Sequence, residues 1–385
     1  MLAEAKARTQ VLQQRMQDAG VESAVFTDES SIAYLSGFWG YLGIEFGRPT
    51  MLVVHASESP VVITPLMESE MVSAMTWVED IQVWEDMGER TWGRALSKAL
   101  GHNPSSIWVE RPSIPAIVRN FLDDTYASVP LKDISPILGA MRVIKSPFEI
   151  TIMKEAGEIA AAMMAAAHHS LSEGALEYES ALAVIDAGSR KAATFLTDKG
   201  WDRFVSPMIH NLQILQSGKD ASMVHRRASV KPYKKFDPVY FCFCNMAQFK
   251  QYKLGFDRMF YIGDVKDSDG KVQQAAIDAQ QAAISVIRPG IAAEDVAAAA
   301  NEIYKERGYE TGYRTGRSIG VAYLESPELK VGDKTILELG MTFAVDGGIS
   351  VDGVTAGRIG DSIVVTEIGS EYITHYPREL LVSHN

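Results

Sequence analysis

Thiols are nucleophiles and metal ligands, and the chain has two of them, Cys242 and Cys244, within an apolar run. On a strand this spacing points both to one face without making a disulfide framework, and free cysteine is among the most buried residue types, so we interpret both as buried free thiols. His168 and His169 lie in an apolar helical pattern and are predicted to flank a helix without taking part in catalysis. No Walker loop and no strand-to-helix G-x-G-x-x-G motif occurs, so no nucleotide site is predicted.

The composition is that of a globular protein large enough for two domains. The chain has 385 residues, 46% of them hydrophobic, and its formal net charge is −12. This negative charge argues against a general binder of nucleic acid. The sequence contains no run of 18 apolar residues, which is the length needed to span a membrane. The first 20 residues form a charged amphipathic helical pattern without an apolar signal-peptide region, so we predict a cytoplasmic protein.

Two textures divide the chain into an N-terminal α/β domain, residues 1–140, and a C-terminal α+β domain, residues 141–385. In the first, strands alternate with helices, which predicts a mixed sheet covered by helices. In the second, long Ala-rich helices interleave with strands in hairpin-like pairs. Ser146-Pro147-Phe148-Glu149 predicts a helix start with a capping box, and Arg288-Pro289-Gly290 predicts the end of one helix and the start of the next.

An ordered series of segments across residues 142–374 resembles the creatinase/aminopeptidase P/methionine aminopeptidase family, which has the pita-bread fold. In chain order the segments are KSPFEITIMKEAGEIA, SGKDASMVHRR, GFDRMF, GRSIG, LELGMTFAVDGG and GRIGDSIVVT. The N-terminal domain is similar to the creatinase type through YLSGFWGYLGIEFGRPTMLVV. The resemblance therefore implies a creatinase-like N-terminal domain followed by a pita-bread catalytic domain.

Peptidases of this family hold two divalent metals with two Asp, one His and two Glu, and here the resemblance implies a broken set. The first Asp falls at about Met246, beside Asn245, and the second is kept as Asp257. The remaining ligand positions carry Arg317 in place of His, Asp346 in place of the first Glu and Gly360 in place of the last. Two aspartates cannot offset about four positive charges, and a guanidinium would repel a divalent ion. We predict no metal and no cofactor, with Arg317 pairing with Asp257 or Asp346.

Resemblance to creatinase-like and ectoine-hydrolase-like members implies a metal-independent hydrolase of a C–N bond, amide or amidine, in a small polar metabolite. His225 would be the general base and acid, because its pKa lies near working pH. Asp257 and Asp346 would hold the nitrogen-bearing group of the substrate. The alternative is that either aspartate only pairs with a neighbouring arginine. Further substrate-binding candidates are Arg317, Tyr252, Arg358 and Glu325.

Phe46-Gly47-Arg48 resembles a creatinase segment that the partner subunit contributes, which implies a homodimer. Arg48 would bind a substrate carboxylate, while Phe46 and the neighbouring Trp39 would exclude water or stack on a cation; packing in the core is the alternative. The expected partner is a small molecule, without nucleic acid or membrane. Three other functions stay open: a pseudoenzyme that only binds, a non-hydrolytic lyase, and an Xaa-Pro metallopeptidase. The sequence cannot decide between ring opening and linear cleavage, and does not name the substrate.

Overall fold

A computed structural model describes residues 1–40, 46–87, 91–198, 200, 202–209, 214–244, 246–310, 312 and 314–384. The chain forms two compact units, Met1–Met141 and Arg142–Asn385. The division between them is one residue from the boundary predicted after residue 140. Each unit has its own sheet and its own buried core.

The first unit alternates helices and strands, as its sequence pattern predicted. Its helices are α1 (Leu2–Asp18), α2 (Glu29–Ser36), α3 (Ser69–Met75), α4 (Trp92–Leu100), α5 (Ala116–Thr125) and α6 (Ser135–Arg142), with a 3-10 turn at Leu66–Glu68. Its strands are β1 (Ser23–Phe26), β2 (Met51–His55), β3 (Val61–Pro65), β4 (Asp80–Trp84), β5 (Ile107–Val109) and β6 (Leu131–Asp133). They form a mixed sheet in the order β4-β3-β2-β1-β5-β6. The helices α2, α3 and α6 and the strand β6 are short additions that the sequence reading did not include.

The second unit begins at the predicted capping box. The Ser146 hydroxyl accepts the backbone N–H of Glu149 at 3.3 Å, and the Glu149 carboxylate accepts the backbone N–H of Ser146 at 2.9 Å. The helices of this unit are α7 (Pro147–His169), α8 (Glu177–Asp198), α9 (Asp267–Val286) and α10 (Ala293–Glu306), with a 3-10 turn at Gly218–Ser222. The break predicted at Arg288-Pro289-Gly290 therefore lies between α9 and α10.

The strands of the second unit are mostly antiparallel neighbours. They are β7 (Ile214–Ser217), β8 (Pro238–Cys242), β9 (Gln248–Phe249), β10 (Tyr252–Lys253), β11 (Asp257–Ile262), β12 (Gly316–Ser318), β13 (Glu325–Leu329), β14 (Thr342–Val351), β15 (Thr355–Val365), β16 (Ser370–Tyr372) and β17 (Leu381–Ser383). The main sheet has the order β13-β12-β14-β15-β11-β8-β7, with β16 beside β15 and β17 beside β11, and β9 and β10 form a separate hairpin. This arrangement confirms the α+β expectation and the pita-bread fold.

Helix α9 covers one face of the main sheet at close range. A Cβ atom on Gly347 would lie 2.0 Å from the carbonyl oxygen of Ala276, so only glycine allows this approach. Val345 and Ile363 pack on the same side in the core formed with α9 and α10. Since side chains alternate along a strand, the even-numbered residues of β14 and β15 project from the opposite face.

Among the described residues, no helix combines the length and the apolar character that crossing a bilayer requires. The cytoplasmic location predicted from the N-terminal residues stays a prediction.

Candidate functional site

Strand register brings the chemically distinctive side chains together on the sheet face that α9 leaves uncovered. Gly360 of β15 pairs with Asp257 of β11 on one side and with Asp346 of β14 on the other. Arg317 of β12 pairs with Ala344, which is two residues from Asp346 and therefore on the same face. Three candidates that are distant in sequence thus meet across four neighbouring strands.

A buried ion pair forms the middle of this site. Nη1 of Arg317 lies 2.6 Å from Oδ2 of Asp346, and Arg317 is only 3% exposed. The guanidinium carbon also lies 4.4 Å from the centre of the Tyr323 ring. Burial opposes the charge of Arg317, but the Asp346 carboxylate and the sulfurs of Cys244 and Cys242 together outweigh it and raise the pKa of the guanidinium above its ordinary value. The expectation that Arg317 turns inward and pairs with one of the two aspartates agrees with this geometry.

Asp257 lies deeper in the site than Asp346. It is 4% exposed, and burial raises the pKa of its carboxyl well above the ordinary value, as do the Asp346 carboxylate and Cys244. The adjacent Arg258 donates to Asp361 at 2.9 Å. The site therefore has one carboxylate that is paired with arginine and one carboxyl that favours its neutral form. That both aspartates hold the nitrogen-bearing group of a substrate stays a prediction.

Both cysteines belong to the same cluster. Cys242 lies directly opposite Asp257 in the pairing of β8 with β11, and one ligand atom from each of Cys242, Cys244 and Asp257 lies within 4.8 Å of the others. Nη2 of Arg317 lies 3.7 Å from Sγ of Cys244. Cys242 is buried as predicted, but Cys244 is only partly buried. The alternation Phe-Cys-Phe-Cys predicts that both thiols share one face of their strand, and the register of β8 with β11 makes this the face that carries Asp257.

Cys242 lies across from Asp257 in the pairing of β8 with β11, and the placement of the first family aspartate near Met246 stays a prediction. Met246 is fully buried just beyond the end of β8. Asn245, which the sequence reading placed beside it, lies outside the described residues.

The residues present do not fit the dimetal centre that the family resemblance implies. A Cβ atom on Gly360 would lie 2.2 Å from Oδ2 of Asp257 and 2.8 Å from Oδ1 of Asp346, so the two aspartates occupy the space that a glutamate at this position would need. A fixed guanidinium contacts Asp346, and the carboxyl of Asp257 favours its neutral form. Two divalent ions need several anionic oxygens and no cation in their place.

Three buried polar atoms in this part of the chain have no partner among the described residues: Nε of Arg317, Nε of Arg358 and Oδ1 of Asp346. Arg358 lies opposite Gly348 and two residues before Gly360, so it shares the face of the site, and its guanidinium also donates to Ser350. An unpaired buried polar group costs about 1–3 kcal/mol. These atoms offer two N–H donors and one carboxylate acceptor to a ligand.

His225 lies in the loop after the 3-10 turn Gly218–Ser222 and is exposed. The loop is held from its next residue: Arg226 donates to the fully buried Glu177 at 2.9 Å, and its backbone carbonyl accepts from Leu215 at 3.2 Å. Within the part of the chain that the structure describes, no hydrogen bond joins His225 to Asp257. The structure thus holds the loop at Arg226 and leaves the His225 side chain exposed, and the catalytic role of His225 stays a prediction.

Two predicted substrate-binding residues are engaged elsewhere. The Tyr252 hydroxyl donates to Glu149 at the start of α7 at 3.0 Å. Nζ of Lys145 lies 2.8 Å from Oε2 of Glu325, and both side chains are almost fully buried. The first contact joins strand β10 to helix α7, and the second joins strand β13 to the residue just before α7. Both are structural contacts that sequence spacing alone did not reveal.

The N-terminal candidates belong to the first unit. Phe46 is 64% exposed and Trp39 is partly buried. The Arg48 guanidinium pairs with Asp86 and donates to the Met67 sulfur at 3.3 Å.

Comparison with known proteins supports the resemblance over both units. Residues 151–367 match the model of metallopeptidase family M24, and residues 8–144 match the creatinase/prolidase N-terminal domain. The agropine synthesis cyclase of Rhizobium rhizogenes is 26% identical over 387 residues, covering 96% of this chain and 95% of the relative. The Xaa-Pro dipeptidase of Lactobacillus delbrueckii subsp. lactis is 25% identical and covers 96% and 97%. The structure of an X-Pro aminopeptidase from Thermotoga maritima superposes with a TM-score of 0.82 at 21% identity, covering 97% and 99%, which shows the fold.

Proposed function

Because the chain belongs to metallopeptidase family M24 and yet lacks a site fit for two metals, we propose that it is a metal-independent enzyme of this family. It hydrolyses a C–N bond, amide or amidine, in a small polar metabolite that bears a carboxylate. Family membership supports a hydrolytic enzyme, and the residues of the sheet face support the rest.

The unpartnered polar atoms carry this proposal. The Nε–H groups of Arg317 and Arg358 can donate hydrogen bonds to a substrate carboxylate, and Oδ1 of Asp346 can accept a hydrogen bond from a substrate N–H. A substrate with a carboxylate and an N–H group offers partners to both kinds of atom, and an arginine binds a carboxylate with directional, charge-assisted hydrogen bonds. A purely cationic substrate would leave both arginine donors unpaired. The charge of the site thus favours a carboxylate and a nitrogen centre in one small molecule.

The remaining groups supply proton transfer. Asp257 favours its neutral form and can donate a proton to the leaving nitrogen. His225 can accept a proton from water and return it, because an imidazole titrates near neutral pH. Arg317 and Asp346 hold each other in fixed positions, so the groups that meet the substrate are oriented before it binds.

A turnover screen in the presence of a chelator tests this function. The panel consists of linear amidino acids such as creatine, cyclic amidino acids such as ectoine, N-acyl amino acids and Xaa-Pro dipeptides, each incubated in water enriched in oxygen-18. We expect at least one carboxylate-bearing amide or amidine to give products that gain one water and carry the label. Turnover restricted to Xaa-Pro dipeptides and dependent on added Mn²⁺ would refute the proposal, and binding without turnover would indicate a pseudoenzyme.

Two histidine variants provide a matched pair for the same assay. His225→Ala should abolish turnover without changing the circular dichroism spectrum, because it removes the proposed base from an exposed loop. His169→Ala, an exposed histidine whose ring nitrogen meets the Ala165 carbonyl of its own helix, should leave the rate unchanged. Equal rates for both variants would remove His225 from the mechanism.

A non-hydrolytic reaction is the second candidate, because one relative that matches almost the full chain is named a synthesis cyclase. The same base and acid could assist attack by a group of the substrate itself in place of water. The two reactions give opposite results with oxygen-18: hydrolysis introduces the label, whereas cyclisation or elimination gives a product without added water. The lyase alternative has the same signature, and the product structure separates the two.

We also propose that the enzyme works as a homodimer in which the N-terminal unit of one subunit completes the site of the other. The exposed ring of Phe46 and the nearby Arg48 support this proposal. Arg48→Ala and His225→Ala should each be inactive alone, and co-expressed as differently tagged subunits they should form mixed dimers with one intact site. Recovery of activity in purified mixed dimers is the expected result. A monomer in sedimentation equilibrium, or mixed dimers without activity, would refute the arrangement.

A further inference from the structure

Cys244 has surroundings that differ from those of an ordinary core thiol. It lies two residues beyond the end of β8, is only partly buried, and its sulfur accepts from Nη2 of Arg317 at 3.7 Å. Arg317 itself is nine-tenths buried or more and has an unpartnered Nε. A partly buried cysteine whose sulfur lies against a fixed guanidinium has the electropositive surroundings of reactive cysteines.

The two neighbours of Cys244 complete a set of groups for covalent chemistry. A hydrogen bond from Cys242 lowers the pKa of the Cys244 thiol, and the Arg317 charge and a backbone hydrogen bond from Phe256 lower it further, while burial and the Asp346 carboxylate oppose them. The carboxyl oxygen of Asp257 lies within 4.8 Å of both sulfurs. The same hydrogen bond and burial raise the pKa of the Cys242 thiol, so Cys242 is the proton donor of the pair.

We propose that Cys244 is the nucleophile of this site and that Asp257 is the acid facing it. This inference rests on the proposed C–N hydrolysis. The sulfur of the Cys244 thiolate forms a bond to the amide or amidine carbon, the C–N bond breaks, and the leaving nitrogen takes the electron pair and the proton of the Asp257 carboxyl. Water then adds to the same carbon, the C–S bond breaks to restore the thiolate, and the proton released by water returns to Asp257 through His225.

Alkylation with iodoacetamide tests the nucleophile without any substrate. The native full-length protein is labelled between about pH 5.5 and about pH 9, and the labelled residue is identified by peptide mass spectrometry. At about pH 6.5 we expect Cys244 to react about tenfold faster than free cysteine in the same buffer, since free cysteine is mostly protonated there. Cys242 should stay unlabelled until the protein is unfolded.

Arginine variants separate the effect of the guanidinium from a general change in the fold. Arg317→Gln should slow labelling of Cys244 about tenfold at about pH 6.5 and move the inflection of its pH profile upward. Arg317→Lys keeps a positive charge and should retain most of the rate, which guards against a variant that merely folds badly. Arg190→Gln removes an exposed arginine on helix α8 and should leave the profile unchanged.

The labelling rate of Cys244 and the turnover of the Cys244→Ala variant, taken together, distinguish this inference from the proposed function. If Cys244 reacts no faster than free cysteine and Cys244→Ala retains turnover of the substrate found in the screen, the nucleophile proposal fails and the His225 and water mechanism stands. If Cys244 reacts rapidly and Cys244→Ala loses turnover but still binds that substrate, the covalent step is supported. Rapid labelling with no turnover of any compound removes the proposed function and, with it, the reaction assigned to Cys244.

Discussion

Replacing Arg317 by glutamine leaves the Asp346 carboxylate beside Asp257 without its guanidinium. Removing one member of a buried ion pair costs about 3–5 kcal/mol. The Asp346 side chain is 32% exposed, so water recovers part of this loss, and we expect Arg317→Gln to lower the free energy of unfolding by about 2–3 kcal/mol. Asp346→Asn leaves the more deeply buried guanidinium without a countercharge and should cost at least as much. The double variant should lose about 1–3 kcal/mol less than the sum of the two.

Urea unfolding of the four proteins, followed by circular dichroism, measures this coupling. Tryptophan fluorescence is the wrong probe, because five of the six tryptophans lie in the first unit. The exposed pair of Arg190 and Asp186 on helix α8 is the matched control, and its cycle should show no measurable coupling. Additive losses for Arg317→Gln and Asp346→Asn would refute the claim that a buried ion pair organises the site.

Three other perturbations have defined outcomes. Gly360→Ala places a Cβ atom 2.2 Å from Oδ2 of Asp257 and should lower the free energy of unfolding by about 1–3 kcal/mol. Gly270→Ala, in a helix where the nearest contact is an ordinary 3.5 Å, should raise the free energy of unfolding by up to about 1 kcal/mol. Equal urea midpoints for the two variants would contradict the crowding at Gly360. Because burial raises the pKa of Asp257, the folded state keeps the Asp257 proton at pH values above the ordinary pKa of 3.8, where the unfolded state has lost it. The free energy of unfolding should therefore fall as pH rises from 3.8 through the raised pKa, and Asp257→Asn should remove this fall in urea titrations. The same dependence of stability on pH in both proteins would contradict this prediction. Lys145→Met breaks an ion pair that is 2% and 5% exposed and should cost about 3–5 kcal/mol in the same assay, while Lys154→Met, from an exposed pair, should change little.

Local signals in the sequence predicted much of the fold. The capping box at Ser146 and Glu149 and the break at Arg288-Pro289-Gly290 each depend on neighbours within a few residues, and both lie where the pattern placed them. The short elements that the sequence reading omitted, such as β6, have few residues and depend on tertiary packing. Periodicity is weakest for such segments.

The site was predicted less completely, because its contacts join distant strands. Arg317 and Asp346 came from motif positions, but the membership of Cys244 depends on the register of β8 with β11, which no local pattern sets. Tyr252 was chosen by its position near the site, and only the fold shows its hydroxyl bound to Glu149. Strand register and the partners of side chains that are distant in sequence therefore could not be predicted from local patterns.

The metal content of the purified protein tests the central claim most directly. Untagged protein is incubated in turn with Mn²⁺, Zn²⁺ and Fe²⁺, dialysed against metal-free buffer, and analysed by elemental mass spectrometry. Because Arg317 contacts Asp346 and Gly360 leaves no glutamate, we predict far less than one ion per chain for each metal. Retention of one or two ions per chain, lost in Asp257→Asn, would contradict the account and restore a metallopeptidase of the Xaa-Pro type.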